Sequence, residues 1–348
     1  MLKLLCEIRD FDFIKRFLNI DDKHENLKIL LEKSKKVEKK IIRFDLLGVN
    51  KENQDIAYFL IENKFKATPS VKQLELYDKT QKSITKKFLM VFHSNQVTSD
   101  VRIYCEQNGW ELRSYFCDGD SENQSLLSFL SSLRVNDSLA ENLKILISEY
   151  TNYLKSIHED IQHLKNNSNY ITDRQIDEWL ETNKLNGILN RRELKFQYLL
   201  YIQSAITEEL NFKESDNIVS NNDGGKNNTP SVALWKKSEN IEAIDSFYFA
   251  IDGDTMKVGV LYKRKNSSKV KNLINSISEN FLKNQYLTSV EVKERLSSKL
   301  KEKDASEKLS VFSMYTFKIK ENQLKSDVVD DALKIITSFF EMKHIIKV

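Results

Sequence analysis

Residues 39–77 read KKIIRFDLLGVNKENQDIAYFLIENKFKATPSVKQLELY. Two apolar runs, 41–49 and 56–65, flank the polar stretch 50–55, the pattern of two strands joined by a turn. Charge falls where a buried strand should carry none: Asp45 in the first run, Glu62 and Lys64 in the second. Side chains alternate along a strand, so Glu62 and Lys64 share a face, and a hairpin pairing lets Asp45 lie beside them. Two carboxylates and an ammonium on an otherwise apolar sheet need partners. A divalent cation held by the carboxylates is the economical one. Taken alone, an acid–lysine pair at i, i+2 on an edge strand is more often a solvent-facing ion pair worth little. Asp45, the apolar flanks and Gln73 in the helical stretch that follows move the balance towards a site.

Three pieces in this order, Arg43-Phe44-Asp45-Leu46-Leu47, Leu60-Ile61-Glu62-Asn63-Lys64 and Gln73-Leu74-Glu75-Leu76-Tyr77, carry a resemblance. The chain resembles the PD-(D/E)XK nuclease superfamily, in a bacterial branch whose motif runs R-x-D-I-L-I, I-I-E-N-K, Q-L-x-x-Y. A bare D…ExK arises by chance in any charged protein; the full order with strand-like flanks is far more specific. The branch's D-Q-x-x-Q-L is Pro69-Ser70-Val71-Lys72-Gln73-Leu74 here, so its first Gln is absent, and the N-terminal region is short beside the family pattern.

The resemblance implies an α/β fold: a restriction-endonuclease-like mixed sheet flanked by helices, followed by a helical segment and a small α+β C-terminal module. It implies that Asp45 and Glu62 bind Mg²⁺, with Mn²⁺ able to substitute, and that the Asn63 backbone carbonyl is a further ligand; two acids suffice for an ion that keeps several waters. Lys64 would orient the attacking water and offset charge on phosphorus, with Gln73 in support. Many members add a glutamate from the first helix; Glu7, Glu25 and Glu32 compete for that role, with Glu38 in the approach to the strand, and position favours Glu32 or Glu25. The implied activity is that of a metal-dependent nuclease hydrolysing phosphodiester bonds in nucleic acid, as an endonuclease or from ends, DNA before RNA, in bacterial defence against foreign DNA. A homodimer pairing two active sites, or a partner protein, fits such an enzyme. The alternative is a non-catalytic nucleic-acid- or protein-binding module on a degenerate nuclease fold.

The rest of the chain sets the frame. Lys and Arg number 54 against 51 Asp and Glu, a net charge of +3, so any polyanion-binding argument must come from local distribution. Candidate phosphate contacts are the basic runs 33–40, 86–87, 191–192 and 263–265, each alone more often a solvated face. Cys6, Cys105 and Cys117 form an odd set with no C-x-x-C pair, which fits reduced thiols. Acidic residues come too early at the N-terminus for a secretory signal, and no apolar run nears the roughly 18 residues of a membrane span. The expectation is a cytoplasmic protein with no membrane partner. His158 and His163 stand five apart, about 140° around a helix, and so cannot share a zinc ion on one face. Asp223-Gly224-Gly225-Lys226 lacks the spacing of a phosphate-binding loop.

Periodicity predicts short helices within 11–18 and 27–31, the hairpin, a helix over 70–82, a strand over 87–93, a helix over 101–107 and a strand over 110–117. Helices follow over 126–133, 139–164, 173–182 and 191–210, then a polar linker over 213–231. Strands over 246–251, 256–262 and 309–319 and helices over 270–281 and 328–346 complete the reading, with Asp252-Gly253-Asp254 as a hairpin turn. The domain expectation is a core over 1–135, a helical segment over 136–212, a linker over 213–232 and the α+β module over 233–348.

Overall fold

A computed structural model describes residues 2–7, 13–20, 26–37, 40–65, 69–81, 84, 86–93, 96–116, 125–132, 140–182, 191–211, 217–222, 229–238, 241–281, 287–294 and 309–341. The chain divides into two compact units, Met1–Asp160 and Ile161–Val348. The helices over 136–212 are therefore not a unit of their own. Helix α5 (Glu141–Asn166) spans the division, and α6 (Asp173–Thr182) and α7 (Arg191–Glu209) belong to the second unit.

The first unit is α/β. After α1 (Leu2–Glu7) and a π-helical turn (Phe13–Phe17) come β1 (Leu27–Val37), β2 (Lys40–Asn50) and β3 (Ala57–Lys64). Helix α2 (Val71–Thr80), β4 (Lys86–His93), α3 (Ser99–Asn108), β5 (Trp110–Phe116) and α4 (Leu126–Ser132) follow. The five strands lie in chain order, β1–β2–β3 antiparallel and β3–β4–β5 parallel, so the sheet is mixed. The helix expected within 27–31 is instead part of β1. Its residues pair with β2 from Leu27↔Asn50 to Val37↔Lys40, and that ladder overrides a weak local pattern.

The turn between β2 and β3 is built by asparagines: Asn50 Oδ1 accepts the main-chain N–H groups of Glu52 (2.8 Å) and Asn53 (3.0 Å). One face of the sheet forms a core with α2 and α3 through Leu47, Leu60, Leu89, Val91, Leu74 and Val101. Asp78 on α2 ties that layer together. It accepts from Lys87 (2.8 Å), from the Tyr104 hydroxyl (2.7 Å) and from Trp110 Nε1 (3.2 Å), so β4, α3 and β5 all hold the helix that carries Gln73. Gly109 ends α3 with φ of 69°, and β5 starts at the next residue.

The second unit holds a six-stranded antiparallel sheet in the order β10–β11–β9–β8–β7–β6. Its strands are β6 (Asn217–Asn222), β7 (Ser231–Lys237), β8 (Ser246–Asp252), β9 (Thr255–Lys263), β10 (Val290–Glu294) and β11 (Leu309–Ile319), with helices α8 (Ser267–Phe281) and α9 (Lys325–Glu341). The polar stretch 213–231 is thus not wholly a linker: β6 pairs with β7 from Asn217↔Lys236 to Asn222↔Ser231, because a main-chain ladder needs no apolar side chains. The β8–β9 turn is as expected, with Gly253 at φ of 59° as first residue of a two-residue loop.

Gly259 sits opposite Tyr248 and beside the irregularity between Ser313 and Tyr315. A Cβ there would run into the Phe312 carbonyl oxygen and lie 2.7 Å from Tyr248 Cε1. Because one obstacle is backbone, Gly259→Ala should destabilise the protein by about 3 kcal/mol. An unchanged urea midpoint would refute that.

Candidate active site

Strand β2 changes its buried side at Asp45. Ile42 and Phe44 before it and Leu47 and Val49 after it join one core, which strict alternation would forbid. The break recurs on β1, where Glu32, between the pairs Leu31↔Leu46 and Lys33↔Phe44, has φ of 47°. Left-handed backbone at a non-glycine residue costs of order 1 kcal/mol and tends to gather at functional sites. The β2–β3 ladder ends at Leu46↔Ile61, and one further step of that register sets Asp45 opposite Glu62. There Asp45 Oδ2 takes the Asn63 main-chain N–H (2.8 Å).

Glu62 follows Leu60 by two residues and so faces α2, where it is 1 % exposed. Its Oε1 receives Lys64 Nζ (2.5 Å) and Gln73 Nε2 (2.7 Å). Gln73 Nε2 also donates to the Tyr77 hydroxyl (2.7 Å), which donates to the Arg43 carbonyl (3.1 Å). The helix thereby holds the amide on the carboxylate and takes its bearing from β2. Oε2 of Glu62 is buried with no hydrogen-bond partner among the described residues. Burial raises the Glu62 carboxyl above its ordinary pKa and the Asp45 charge adds to that, against the opposing pull of the Lys64 ammonium.

A buried carboxylate oxygen without a donor among the described residues, beside a second carboxylate, is a donor set that suits a hard cation. Asp45 and Glu62 are the two acids, and among the described residues no group of three or more His, Cys, Asp or Glu side chains comes together in a metal-holding arrangement. Glu32 lies across from Asp45 but its carboxylate is exposed, 3.6 Å from Arg43 Nη1. Glu7 pairs with Lys3 on α1 (3.7 Å), and Glu25 and Glu38 lie outside the described residues.

A search of protein-family models, of curated proteins and of solved structures finds no match to this chain. The geometry has to speak for itself. It brings Asp45, Glu62, Asn63, Lys64 and Gln73 together, and it adds side chains that sequence reasoning passed over. The Tyr115 hydroxyl donates to Asn63 Oδ1 (3.0 Å) and meets the Tyr150 hydroxyl, so Asn63 is anchored from the opposite face of the sheet. Tyr115 stands in a strand recognised by its alternation, but nothing local marks that its hydroxyl reaches Asn63 of β3. The two histidines considered for zinc stack instead on rings: His158 on Phe116 (5.5 Å) and His163 on Trp179 (5.8 Å). The stretch 223–226 lies outside the described residues. Among the described residues no helix is long and apolar enough to cross a membrane.

Proposed function

We propose that the chain is a metal-dependent nuclease hydrolysing phosphodiester bonds in nucleic acid, DNA foremost. The observation that carries this reading is the state of Glu62: fully buried, one oxygen bound by Lys64 and Gln73, the other without a partner among the described residues, with Asp45 across the end of the strand ladder. A group held this way is destabilised as an ion, and a protein tolerates that where charge is to be recruited. The mixed sheet, with its acids just beyond the point where the β2–β3 ladder ends and a helix donating a glutamine to one of them, is compatible with the restriction-endonuclease-like architecture that the motif implies.

In this reading Asp45, Glu62 and the Asn63 main-chain carbonyl would hold Mg²⁺. When bound, the ion would offset phosphate charge and lower the pKa of a coordinated water. The chain's own contribution is position and charge. Gln73 and Tyr77 fix the rotamer of Glu62, and Tyr115 fixes the Asn63 segment. Lys64 sits two residues from Glu62 on the same face, where its ammonium can stabilise negative charge developing on a substrate phosphate.

The test is incubation with circular and linear DNA in Mg²⁺ or Mn²⁺ against a chelator control, with Asp45→Ala alongside and calorimetry for metal uptake. The expected result is metal-dependent cutting by the wild type and none by folded Asp45→Ala. Absence of both cutting and Mg²⁺ binding, with RNA tried as well, would replace the enzyme by the non-catalytic binding module.

A further inference from the structure

Glu62 carries two unlike donors on one oxygen. Its Oε1 accepts from Lys64 Nζ (2.5 Å) and from Gln73 Nε2 (2.7 Å), which uses both lone pairs of that oxygen. Its Oε2 accepts from no described residue. A cation that engages both oxygens of Glu62 therefore needs one of the two donors to leave. Gln73 is the fixed one. Its Nε2 also donates to the hydroxyl of buried Tyr77 (2.7 Å), which is tied to the Arg43 carbonyl (3.1 Å). Lys64 is held by far less. It is the last residue of β3, its side chain is 13 % exposed, and among the described residues Glu62 is the partner of its ammonium. That ammonium rides on a flexible four-carbon stem.

Charge balance points to the same exchange. Register sets Asp45 across from Glu62, two carboxylates beside the one ammonium of Lys64. The ammonium leaves one negative charge over, whereas a divalent ion offsets both. The two cations share the place only at a cost, because like charges a few ångströms apart repel strongly where water is largely excluded. Among the described residues no third acid gathers with Asp45 and Glu62, so a single positive charge beside them weighs heavily on what they hold. A lysine present only to neutralise a buried carboxylate would stay with it.

We infer that Lys64 and the divalent ion are alternative countercharges for Glu62: the ammonium leaves Oε1 as the ion is taken up, and Lys64 thereby sets how tightly the site holds its metal. This rests on the nuclease reading, in which the released ammonium is the one that meets the substrate phosphate.

The experiment reads metal binding, not turnover. Isothermal titration with Mg²⁺ and with Mn²⁺ compares the wild type with Lys64→Met and Lys64→Arg, each checked for fold by circular dichroism. Lys64→Met should bind either ion about tenfold or more tighter, a coupling of ordinary size, and Lys64→Arg, which keeps the charge, should gain none of this. The wild type supplies a second reading, which stands even where a variant fails to fold. Acetic anhydride should acetylate Lys64 severalfold faster in saturating Mg²⁺ than in chelator, read by mass spectrometry against Lys79, 74 % exposed on α2. Unchanged or weaker metal affinity in folded Lys64→Met, or Lys64 acetylation that Mg²⁺ leaves as it was, would overturn the exchange. So would equal tightening in Lys64→Arg, which would trace the effect to shape rather than charge. The two readings fail separately. Tighter uptake by Lys64→Met and faster Lys64 acetylation, with no cutting by the wild type, keep the exchange and remove the nuclease. Metal-dependent cutting with both quantities unchanged removes the exchange alone, and no uptake of either ion by any of the three proteins removes both.

Discussion

Glu62→Gln is expected to lower metal-dependent cleavage by about a thousandfold or more, and with it the uptake of Mg²⁺. Gln keeps the shape and can still accept from Gln73, but it brings no charge to the position now held by the unpartnered Oε2. Lys64→Ala separates the roles. It removes an ammonium and neither acid, so Mg²⁺ should still bind while cleavage falls by about a hundred- to a thousandfold. Calorimetry beside single-turnover cleavage reads both quantities. If Glu62→Gln bound Mg²⁺ like the wild type, Glu62 would not be the metal's ligand.

The same substitution has a pH signature in the metal-free protein. The Glu62 carboxyl is raised in the fold, first by burial and then by Asp45. A carboxyl raised above its unfolded value binds more protons folded than unfolded, so wild-type stability falls as pH rises from the unfolded value of 4.5 through the folded one. Gln carries no such penalty. The stability of Glu62→Gln relative to wild type should therefore be lower near pH 4.5 than near neutrality, and a difference that stays flat across that window would argue against an ionised, destabilised Glu62. Mg²⁺ should raise the wild-type melting temperature at neutral pH and leave the variant's alone.

Lys195→Met is expected to have the largest effect on stability, about 3 kcal/mol or more. Lys195 on α7 is 0 % exposed, and its ammonium meets Asp254 (2.5 Å), the Ile171 carbonyl (2.7 Å), the Tyr170 hydroxyl (3.2 Å) and Asp173 (3.5 Å). The Tyr170 ring centroid lies 4.6 Å away. One cation thus fastens α7 to the start of α6 and to the β8–β9 turn, where Asp254 also accepts the Asp173 main-chain N–H (2.9 Å). Met preserves the volume but leaves two carboxylates facing each other and a carbonyl without its donor. Asp173 is already raised, by burial foremost, and it loses the opposing pull of Lys195. The variant's folded state should then bind protons more tightly than the wild type's, so its deficit should shrink as pH falls towards the Asp range. Calorimetric melting of the full chain at neutral and mildly acid pH measures this, with a drop of about 6–12 °C expected at neutrality. A wild-type melting temperature would mean that the ion pair contributes nothing net.

Much of the first unit could be read along the chain, because the signals are local. The runs around Asp45 and Glu62 alternate and end in an asparagine turn, and Gln73 precedes Tyr77 by one helical turn. These patterns placed β2, β3 and α2 within a residue or two of their observed bounds. Strand β1 escaped, since Leu27–Val37 has no clean alternation and becomes a strand by pairing with β2. Strand β6 escaped for the same reason, as an asparagine-rich segment held by main-chain bonds to β7.

What the sequence alone determined is therefore the mixed α/β character of the first unit and the residue types gathered at one point in it. Composition and period settle those, and they act between near neighbours. Tertiary structure decided that Glu62 is sealed with one oxygen unpartnered among the described residues, that Tyr115 reaches Asn63 from 52 residues away, and that Lys195 closes on Asp254 from 59. Burial and long-range hydrogen bonding belong to the packed chain, because they depend on which surfaces exclude water together.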